Sequence, residues 1–301
     1  MALARRLAGT VCTMTRKALV LGGTGMLGHR VVPALSGSHE VHATVRDLDF
    51  AAPRVPATLH QLDVLDGHAL DDVVRRVAPE VVVNCVGIVK QLDAAKQAIP
   101  SIRVNALFPH ELAGVCARHD ARLIHVSTDC VFSGSLPYPR AYREDDVPDA
   151  HDLYGRTKLL GEVDAPALTL RTSIIGPELH AGNGLLDWYK RQAHADVPGF
   201  RNAWFSGLTT DALADVIRRL VHDHAGMSGI FHVSADPISK YDLLVRLRDV
   251  LSLPCTIHAV DEPSINRVLD CTRFQDSTGI RMPAWDEMLN HYAKESDDET
   301  A

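Results

Sequence analysis

The stretch Ala18-Leu-Val-Leu-Gly-Gly-Thr-Gly-Met-Leu-Gly28 decides the fold, because an apolar run leads directly into glycines spaced three residues apart. The apolar run is typical of a buried strand, and Gly22, Gly25 and Gly28 permit a tight turn into a helix. Such a turn brings the backbone close to a ligand, and the helix N-terminus offers positive partial charge to a phosphate. The pattern therefore predicts a dinucleotide pyrophosphate site, although a ligand-free strand-to-helix turn has the same glycines.

Strand-like and helix-like segments alternate from this turn onward. The apolar run at 81–86 is continuous, as in a parallel strand that is covered on both faces. The predicted strands are 18–21, 41–46, 59–62, 81–86, 123–127, 168–171 and 230–233. The predicted helices are 26–36, 66–77, 103–119, 154–163, 184–194, 210–223 and 239–251, and Pro33 predicts a kink or an early end in the first. This order predicts an α/β fold, a Rossmann-type doubly wound parallel sheet.

Four segments of the chain are predicted to differ in role. Residues 17–172 are expected to form an NAD(P)-binding Rossmann domain. Residues 173–294 are expected to form a smaller, interleaved substrate-binding lobe with segments that return to the sheet. Residues 1–16 are expected to be a flexible N-terminal extension, with Met14 as an alternative start, and 295–301 a frayed acidic tail.

The composition and charge of the chain argue against several classes of protein. The 301 residues carry a net charge of -7, which argues against a nucleic-acid partner. No apolar run approaches the roughly 20 residues of a membrane helix. The six cysteines are scattered without a Cys-x-x-Cys pair, which favours reduced thiols and a cytoplasmic protein. The 16 histidines show no metal-binding spacing, so no metal ion is expected.

Further residues are expected around the cofactor. The second predicted strand ends at Arg46, whose guanidinium would pair with a ribose 2′-phosphate and so favours NADP, while Asp47 and Asp49 keep NAD open. Asp63 could accept a hydrogen bond from adenine or be an ordinary loop or cap carboxylate, and Asn105 could equally be structural. The predicted cofactor contacts are Gly22, Thr24, Gly25, Met26, Leu27, Gly28, Arg46, Asp63, Val64, Cys85, Val86, Gly87, Asn105, Ser127, Tyr154 and Lys158.

The stretch Tyr154-Gly-Arg-Thr-Lys158 places a phenol and an ammonium four residues apart, on one face of a helix. A phenol with a pKa of about 10 is a poor catalyst at neutral pH, and a nearby ammonium favours its ionised form. Thr128 ends the preceding predicted strand and could hydrogen-bond the same carbonyl oxygen, or could merely cap a turn. The three residues together predict carbonyl reduction, with hydride from a nicotinamide and the proton from Tyr154.

Six segments of the chain carry a family resemblance. They are Gly22-Gly-Thr-Gly-Met-Leu-Gly28, Asn84-Cys-Val-Gly87, Val104-Asn-Ala106, Ser127-Thr-Asp-Cys-Val-Phe-Ser-Gly134, Tyr154-Gly-Arg-Thr-Lys-Leu-Leu-Gly-Glu162 and Leu170-Arg-Thr-Ser173. Together they resemble an extended short-chain dehydrogenase/reductase, nearest the dTDP-4-dehydrorhamnose reductase group. The resemblance covers about residues 17 to 290 and implies a catalytic centre at Thr128, Tyr154 and Lys158, with Lys158 also bridging the nicotinamide ribose hydroxyls.

The resemblance implies reduction of a nucleotide-activated 4-keto-6-deoxy sugar, in polysaccharide or glycoconjugate synthesis. Related dehydratases carry a second carboxylate after Asp129, where this chain has Cys130, so dehydration is disfavoured. Asp129 is then expected to orient substrate or to be a turn residue.

Lys90 lies where the chain departs from the family, and could meet a substrate anion or be solvated. Trp204 lies in a segment resembling the loop before a substrate-lobe helix. Arg267 is the candidate for the sugar-nucleotide pyrophosphate, or else a surface or ion-paired arginine.

Two other functions stay open at this point. One is a sugar-nucleotide epimerase of the same superfamily, which would recycle its hydride within one turnover. The other is a catalytically silent NAD(P)-binding regulatory subunit, against which the intact Thr128, Tyr154 and Lys158 weigh. The expected partner is a nucleotide-sugar substrate, and a homodimer is left open.

Overall fold

A seven-stranded parallel sheet forms the centre of the computed structural model, which describes residues 16–90, 93–180, 182 and 184–298. Neighbouring strands lie in the order β11-β6-β5-β4-β1-β2-β3, where the strands are β1 (Lys17–Leu21), β2 (Glu40–Val45), β3 (Thr58–Gln61), β4 (Val81–Asn84), β5 (Arg122–Val126), β6 (Leu168–Arg171) and β11 (Gly229–His232). The chain therefore runs outward from β1 to β3 and returns beside β1 for β4. The predicted doubly wound sheet is confirmed, with its order reversing between β1 and β4.

Alternate residues of β1 are buried on opposite faces of the sheet. Ala18 and Val20 belong to one apolar cluster and Leu19 and Leu21 to another, and all four side chains are fully buried. Burying a large aliphatic side chain in this way contributes about 1.5–3 kcal/mol. A strand covered on both faces needs such a continuous apolar sequence, which is why this stretch is a central strand.

Helices cover both faces of this sheet, and others pack on the smaller sheets of the second half of the chain. They are α1 (Gly28–Ser36), α2 (Leu48–Ala51), α3 (Gly67–Val77), α4 (Ala98–Ser101), α5 (Phe108–Arg118), α6 (Leu153–Leu160), α7 (Leu185–Lys190), α8 (Thr210–Asp223), α9 (Lys240–Val250), α10 (Thr272–Thr278) and α11 (Trp285–Asp298). Helices α1 and α8 pack against each other on the face of Ala18 and Val20, whereas α3 and α5 supply Leu70 and Leu112 to the other face.

Three small sheets are built from the second half of the chain. They pair β7 (Ile174–Ile175) with β10 (Leu208–Thr209), pair β8 (Asp196–Phe200) with β13 (Thr256–Val260), and place β9 (Ala203–Phe205) between β12 (Ile238–Ser239) and β14 (Ile265–Arg267). In the last sheet Phe205 lies opposite both Ile238 and Arg267. Helix α9 begins directly after β12, so this sheet determines where Lys240 and Arg267 lie.

Several predicted boundaries are wrong by a few residues. Strand β4 ends at Asn84 rather than at residue 86, because the Asn84 side chain accepts the N–H of Val86 at 3.0 Å and turns the chain out of the sheet. The predicted helix 184–194 ends at Lys190. Pro33 does not end α1 early: the helix continues to Ser36, and its residues on both sides of the proline are buried in the core.

The predicted helix 103–119 is part of a longer, irregular helical segment. It consists of α4, a π-helical turn over Ile102–Leu107 and α5, which ends at Arg118. A π-helical turn places one extra residue in the helical path and is frequent at functional sites. Here the turn presents Asn105, whose side chain is buried, towards the loop after β4.

The structure bears on the prediction for the C-terminal end of the chain but not on that for the N-terminal end. Helix α11 runs to Asp298 and so enters the segment 295–301 that was predicted to be a frayed tail. The extension up to residue 15, with Cys12 and Met14, lies outside the described residues. Within the described part, no helix is long and apolar enough to cross a membrane, and no group of three or more His, Cys, Asp or Glu could hold a metal ion. The described cysteines are all free thiols.

Candidate active site

The glycine-rich segment forms the tight turn that its sequence predicts. Gly22 has a φ of +79°, in the left-handed region that favours glycine, and its carbonyl oxygen accepts the N–H of Gly25 at 3.0 Å. A Cβ atom at Gly28 would lie 2.1 Å from that carbonyl oxygen, so α1 can begin here only with glycine. The N-terminus of α1 consequently opens at the carboxyl end of β1, where a pyrophosphate would be held by backbone N–H groups.

The other residues predicted in this turn have different environments. Thr24 and Met26 are partly exposed, as contacts to a bound ligand require. The side chain of Leu27 is buried in the apolar core, so its role in the fold is packing. Only its backbone could face a cofactor.

Arg46 follows β2 directly and has an exposed side chain, which makes no hydrogen bond or ion pair with any described residue. The neighbouring Asp47 side chain accepts the N–H of Phe50 at 3.0 Å and so caps α2. Arg46 is therefore available at this strand end, which suits a 2′-phosphate, while the exposed Asp49 in the first turn of α2 also makes no side-chain bond with a described residue and keeps NAD open. Asp63 is exposed and accepts the N–H of Leu65 at 3.0 Å, so it stabilises a turn, and Asp66 is the residue that caps α3.

Asn105 holds the loop that follows β4. Its Oδ1 atom accepts the N–H of Ile88 at 2.8 Å, and its Nδ2 atom donates to the Ile88 carbonyl oxygen at 2.9 Å. This loop contains Cys85, Val86 and Gly87, of which the first two are half-buried and Gly87 is exposed. The side chain of Asn105 is thus a structural clamp on the loop.

The loop after β4 connects the glycine turn to the predicted catalytic residues. Val86 lies against the glycine turn, 3.1 Å from the position of a Cβ on Gly22. One residue further, a Cβ on Gly87 would lie 4.0 Å from the Nζ atom of Lys158. The mouth of the glycine turn and the Lys158 ammonium therefore face the same loop.

Thr128, Tyr154 and Lys158 are brought together at the carboxyl end of β5. The Lys158 ammonium donates a hydrogen bond of 2.8 Å to the Val126 carbonyl oxygen, at the last residue of β5. The Thr128 side chain lies close enough to the Tyr154 phenol to lower its pKa. The three residues named from the sequence therefore lie at the same end of this strand, and their catalytic role stays a prediction.

The position of α6 depends on two residues next to the tyrosine. A Cβ atom at Gly155 would lie 2.2 Å from the Cys130 carbonyl oxygen, so glycine lets the helix approach the loop that carries Thr128. Asp152 caps α6 by accepting the N–H of Gly155 at 2.8 Å, and it also accepts Lys90 Nζ at 2.7 Å. Lys90 is half-exposed and thereby ties the loop after β4 to the start of α6.

Burial sets the protonation of the cluster. It lowers the pKa of Lys158 to about 8, and the Glu162 carboxylate acts in the opposite direction. Burial also raises the pKa of Tyr154, so the phenol stays protonated and can donate its proton. The Ser127 hydroxyl donates to Glu162 Oε1 at 2.7 Å, so the Ser127 side chain holds this carboxylate in place.

A second charged group adjoins Thr128. Asp129 is buried and accepts the Thr128 hydroxyl at 3.2 Å. Burial raises its pKa, whereas the positive charges of Arg267 and Lys240 lower it. Arg267 is half-buried and donates through Nε and Nη2 to the carbonyl oxygens of Phe132 and Ser133, at 3.0 and 3.1 Å. These bonds hold the loop after Asp129, so Arg267 is neither a free surface arginine nor ion-paired among the residues that can be described.

Trp204, like Arg267, belongs to the second half of the chain. Its ring stacks on Tyr138 with 3.9 Å between the centroids and 6° between the planes. Both rings line a surface cavity of about 510 Å³, together with Gly134 and Asn266. The cavity therefore adjoins the loop that Arg267 holds.

Lys240 was missed by the sequence reasoning. It is the first residue of α9, and its ammonium lies 3.5 Å from the centroid of the Phe205 ring. Burial lowers its pKa to about 8. A cation at the first position of a helix opposes the helix dipole, and this unfavourable placement after the capping Ser239 is the signal that could have revealed it.

Comparison with known proteins agrees with this geometry. Residues 16–297 match the family model described as "RmlD substrate binding domain". The dTDP-4-keto-6-deoxy-D-glucose reductase of Streptomyces niveus is 33% identical over 238 residues, which cover 76% of this chain and 77% of that protein. Methionine adenosyltransferase 2 subunit beta of Bos taurus is 27% identical over 297 residues, covering 89% of this chain and 84% of that protein.

Solved structures share the fold. A dTDP-4-dehydrorhamnose reductase from Bacillus anthracis in complex with NADP superposes with a TM-score of 0.78 at 20% identity, over 93% of this chain and 99% of that one. A UDP-glucose 4-epimerase from Thermus thermophilus in complex with NAD gives 0.78 at 15% identity, over 92% and 98%. At these identities the likeness shows the architecture alone. The family model, by contrast, spans nearly the whole chain, which therefore belongs to the RmlD substrate-binding-domain family.

Proposed function

We propose that this protein is an NADPH-dependent reductase of a nucleotide-activated 4-keto-6-deoxy sugar, acting in polysaccharide or glycoconjugate synthesis. The observation that carries the proposal is the cluster of Thr128, Tyr154 and Lys158 beside the loop that borders the glycine turn. A proton donor, a cation that tunes it and a hydroxyl for the carbonyl oxygen are the groups that such a reduction needs from the protein.

Each of the three side chains has a distinct task in this proposal. Tyr154 gives its proton to the oxygen of the sugar carbonyl as that oxygen gains negative charge. Lys158 stabilises the phenolate that is left, and the Thr128 hydroxyl turns its single proton from Asp129 to the same oxygen and donates a hydrogen bond to it. The nicotinamide cofactor supplies the hydride when it is bound.

The residues around the glycine turn fit a dinucleotide. The turn from Gly22 to Gly28 is so tight that Gly28 has no room for a Cβ atom, and it brings the N-terminus of α1 to the carboxyl end of β1, where a pyrophosphate could bind. Arg46 stands at the end of β2 with no described partner, which favours NADP over NAD. We infer that Thr24, Met26, Val64, Val86 and Gly87 border the bound cofactor, and that Lys158 reaches its nicotinamide ribose.

The substrate would be held by the second half of the chain. The S. niveus relative is named for a dTDP-4-keto-6-deoxy sugar, which is the substrate class that we propose here. Asp129 lies beside Thr128, Arg267 holds the loop that follows Asp129, and Lys90 and Trp204 lie further out, so these are the proposed substrate contacts. In this scheme residues 17–172 bind the cofactor and 173–294 the substrate, in a cytoplasmic enzyme; a homodimer stays a prediction.

Net oxidation of NADPH tests the proposed function. The purified protein is mixed with NADPH and dTDP-4-keto-6-deoxy-D-glucose. The loss of NADPH is followed by its absorbance, and the sugar-nucleotide product is identified and quantified in the same reaction. A reductase consumes one NADPH for each sugar nucleotide reduced. An epimerase would convert the sugar without net loss of NADPH, and a silent regulatory subunit would do neither, so either result contradicts the proposal.

A further inference from the structure

Lys240 occupies a position that is unfavourable for a lysine in two respects. It begins α9, where the helix dipole opposes a positive charge, although Ser239 caps the helix by accepting the N–H of Asp242 at 3.0 Å. Its side chain is also withdrawn from most of the solvent, which penalises the charged form. Among the described residues, the ammonium makes no hydrogen bond or ion pair; its contact is the ring of Phe205 at 3.5 Å.

The small sheet β12-β9-β14 brings Lys240 to the candidate active site. Phe205 pairs with Ile238 on one side and with Arg267 on the other, so the lysine that follows β12 lies near the arginine that ends β14. Arg267 in turn is bonded to the carbonyl oxygens of Phe132 and Ser133, just beyond Asp129. Arg267 thus faces the loop that carries Thr128, and Lys240 lies close enough to Asp129 of that loop for their charges to interact.

Asp129 determines what these cations can bind. Its buried carboxylate feels the charges of both Arg267 and Lys240, yet no direct ion pair joins it to either in the described part of the chain. A carboxylate accepts hydrogen bonds and an ammonium donates them. A ligand that offers neighbouring hydroxyl groups would satisfy both, whereas a diphosphate placed between them would be repelled by the carboxylate.

We propose that Lys240 is a substrate-binding residue that, together with Asp129, hydrogen-bonds the hydroxyl groups of the sugar ring next to the carbonyl. This inference rests on the proposed function, because Tyr154 and Thr128 place that carbonyl beside Asp129. The pair would therefore set which sugars are accepted, while the diphosphate is bound elsewhere. Burial lowers the pKa of Lys240 to about 8, because its charge has lost most of its water.

Binding of unreactive ligands tests this inference apart from turnover. Dissociation constants of dTDP and dTDP-glucose, and of UDP and UDP-glucose, are measured by calorimetry on the NADP-saturated protein. The parent is expected to bind the nucleotide sugar more tightly than the free nucleotide. In Lys240→Met the affinity for the nucleotide sugar should fall about tenfold or more, because a charge-assisted hydrogen bond is lost, while affinity for the free nucleotide changes less than twofold.

Two variants control for a structural effect. Lys190→Met removes an exposed lysine of α7 and should change neither dissociation constant. Lys240→Arg keeps the charge and should retain part of the preference for the nucleotide sugar. The melting temperature and the affinity for NADP, measured for each variant, show whether the fold and the cofactor site are intact.

Three results would overturn the inference. Equal losses of affinity for nucleotide and nucleotide sugar would assign Lys240 to the diphosphate. Unchanged affinities in a folded Lys240→Met protein would make the residue part of the packing only. A parent protein that binds neither nucleotide sugar more tightly than its free nucleotide would have no sugar recognition for Lys240 to supply. Failure of the NADPH assay alone would contradict the proposed function and leave the binding result standing.

Discussion

The carboxylate of Glu162 accepts both Nε and Nη2 of Arg171 at 2.8 Å, and each side chain is only 4% exposed. The same carboxylate accepts the Ser127 hydroxyl and acts through space on Lys158, four residues earlier in the chain. A buried negative charge beside the site thus keeps the pKa of the buried ammonium from falling further. The Glu162–Arg171 pair therefore links the stability of the fold at the carboxyl end of β6 to the protonation of Lys158.

Glu162→Gln should accordingly affect stability and pH dependence together. Removing one partner of a buried ion pair is expected to lower the free energy of unfolding by about 3–5 kcal/mol. The pKa of Lys158 should also fall below its parent value, so the loss of activity at high pH should begin at a lower pH. Urea unfolding and the pH profile of kcat/KM measure the two effects. The exposed Glu111→Gln is the control, and equal behaviour of the two variants would contradict the linkage.

Tyr154→Phe should separate proton transfer from cofactor binding. The variant keeps the ring but loses the proton donor, so kcat should fall about 10²-fold or more. The dissociation constant of NADPH should stay within about twofold, because the glycine turn is untouched. Tyr241→Phe, at a half-buried tyrosine on α9, is the matched control and should keep its activity. A Tyr154→Phe protein that turns over as fast as the parent would eliminate the proposed proton route.

Arg46→Ala should change the choice of cofactor. With no described partner, the guanidinium is free to pair with the 2′-phosphate, and its loss should raise the KM for NADPH about tenfold or more. The KM for NADH should hardly change, since NADH lacks that phosphate. Steady-state kinetics with both cofactors measure the difference, and Arg281→Ala, at another exposed arginine, is the control. A parallel rise in both constants would show that Arg46 does not distinguish them.

Lys158→Met should lower the activity of the enzyme but raise its free energy of unfolding at pH 7. The pKa of Lys158 is about 8 in the folded protein, against about 10.5 in an unfolded chain. Between these values the unfolded chain binds a proton that the folded protein does not, so stability rises as pH increases from 8 to 10.5. At pH 7 the charge is a cost, and the variant should gain about 2 kcal/mol after the lost hydrogen bond to Val126 is subtracted.

Urea unfolding at pH 7 and near pH 10.5 measures this exchange. The advantage of Lys158→Met over the parent should shrink at the higher pH, where the parent's ammonium has lost its proton. Lys190→Met, at an exposed position, should show no such dependence. A gain of the same size at both pH values would contradict the link to titration.

The main sheet could be predicted from the sequence because its signals are local. The continuous apolar run of β1 and the glycines that follow it are decided within a dozen residues, and so is the spacing of Tyr154 and Lys158. The ends of elements were less predictable, because single side chains such as Asn84 redirect the backbone. Such a hydrogen bond depends on the rotamer of one side chain, which the hydrophobic pattern of the sequence does not reveal.

The part of the site near Lys240 depends instead on distant pairings. Strands β12, β9 and β14 have two or three residues each, too few to show an alternating pattern. Their pairing joins residues about 30 to 60 positions apart, and only this pairing brings Lys240, Phe205 and Arg267 together. Arg267 is a candidate through the family resemblance, whereas Lys240 has only its unfavourable place at a helix start.

His232 should make the protein sensitive to acid. Its ring is fully buried, lies 3.1 Å from the Tyr142 carbonyl oxygen and 3.3 Å from Arg171, and burial lowers its pKa to about 3. Below a pH of about 6.5 the unfolded chain binds a proton that the folded protein excludes, so stability falls by about 1.4 kcal/mol for each pH unit. Between pH 6.5 and 5 the parent should therefore lose about 2 kcal/mol more than His232→Gln, as measured by urea unfolding. His68→Gln, at an exposed histidine, should keep the parent's slope, and an unchanged slope in His232→Gln would show that this ring is not the group that titrates.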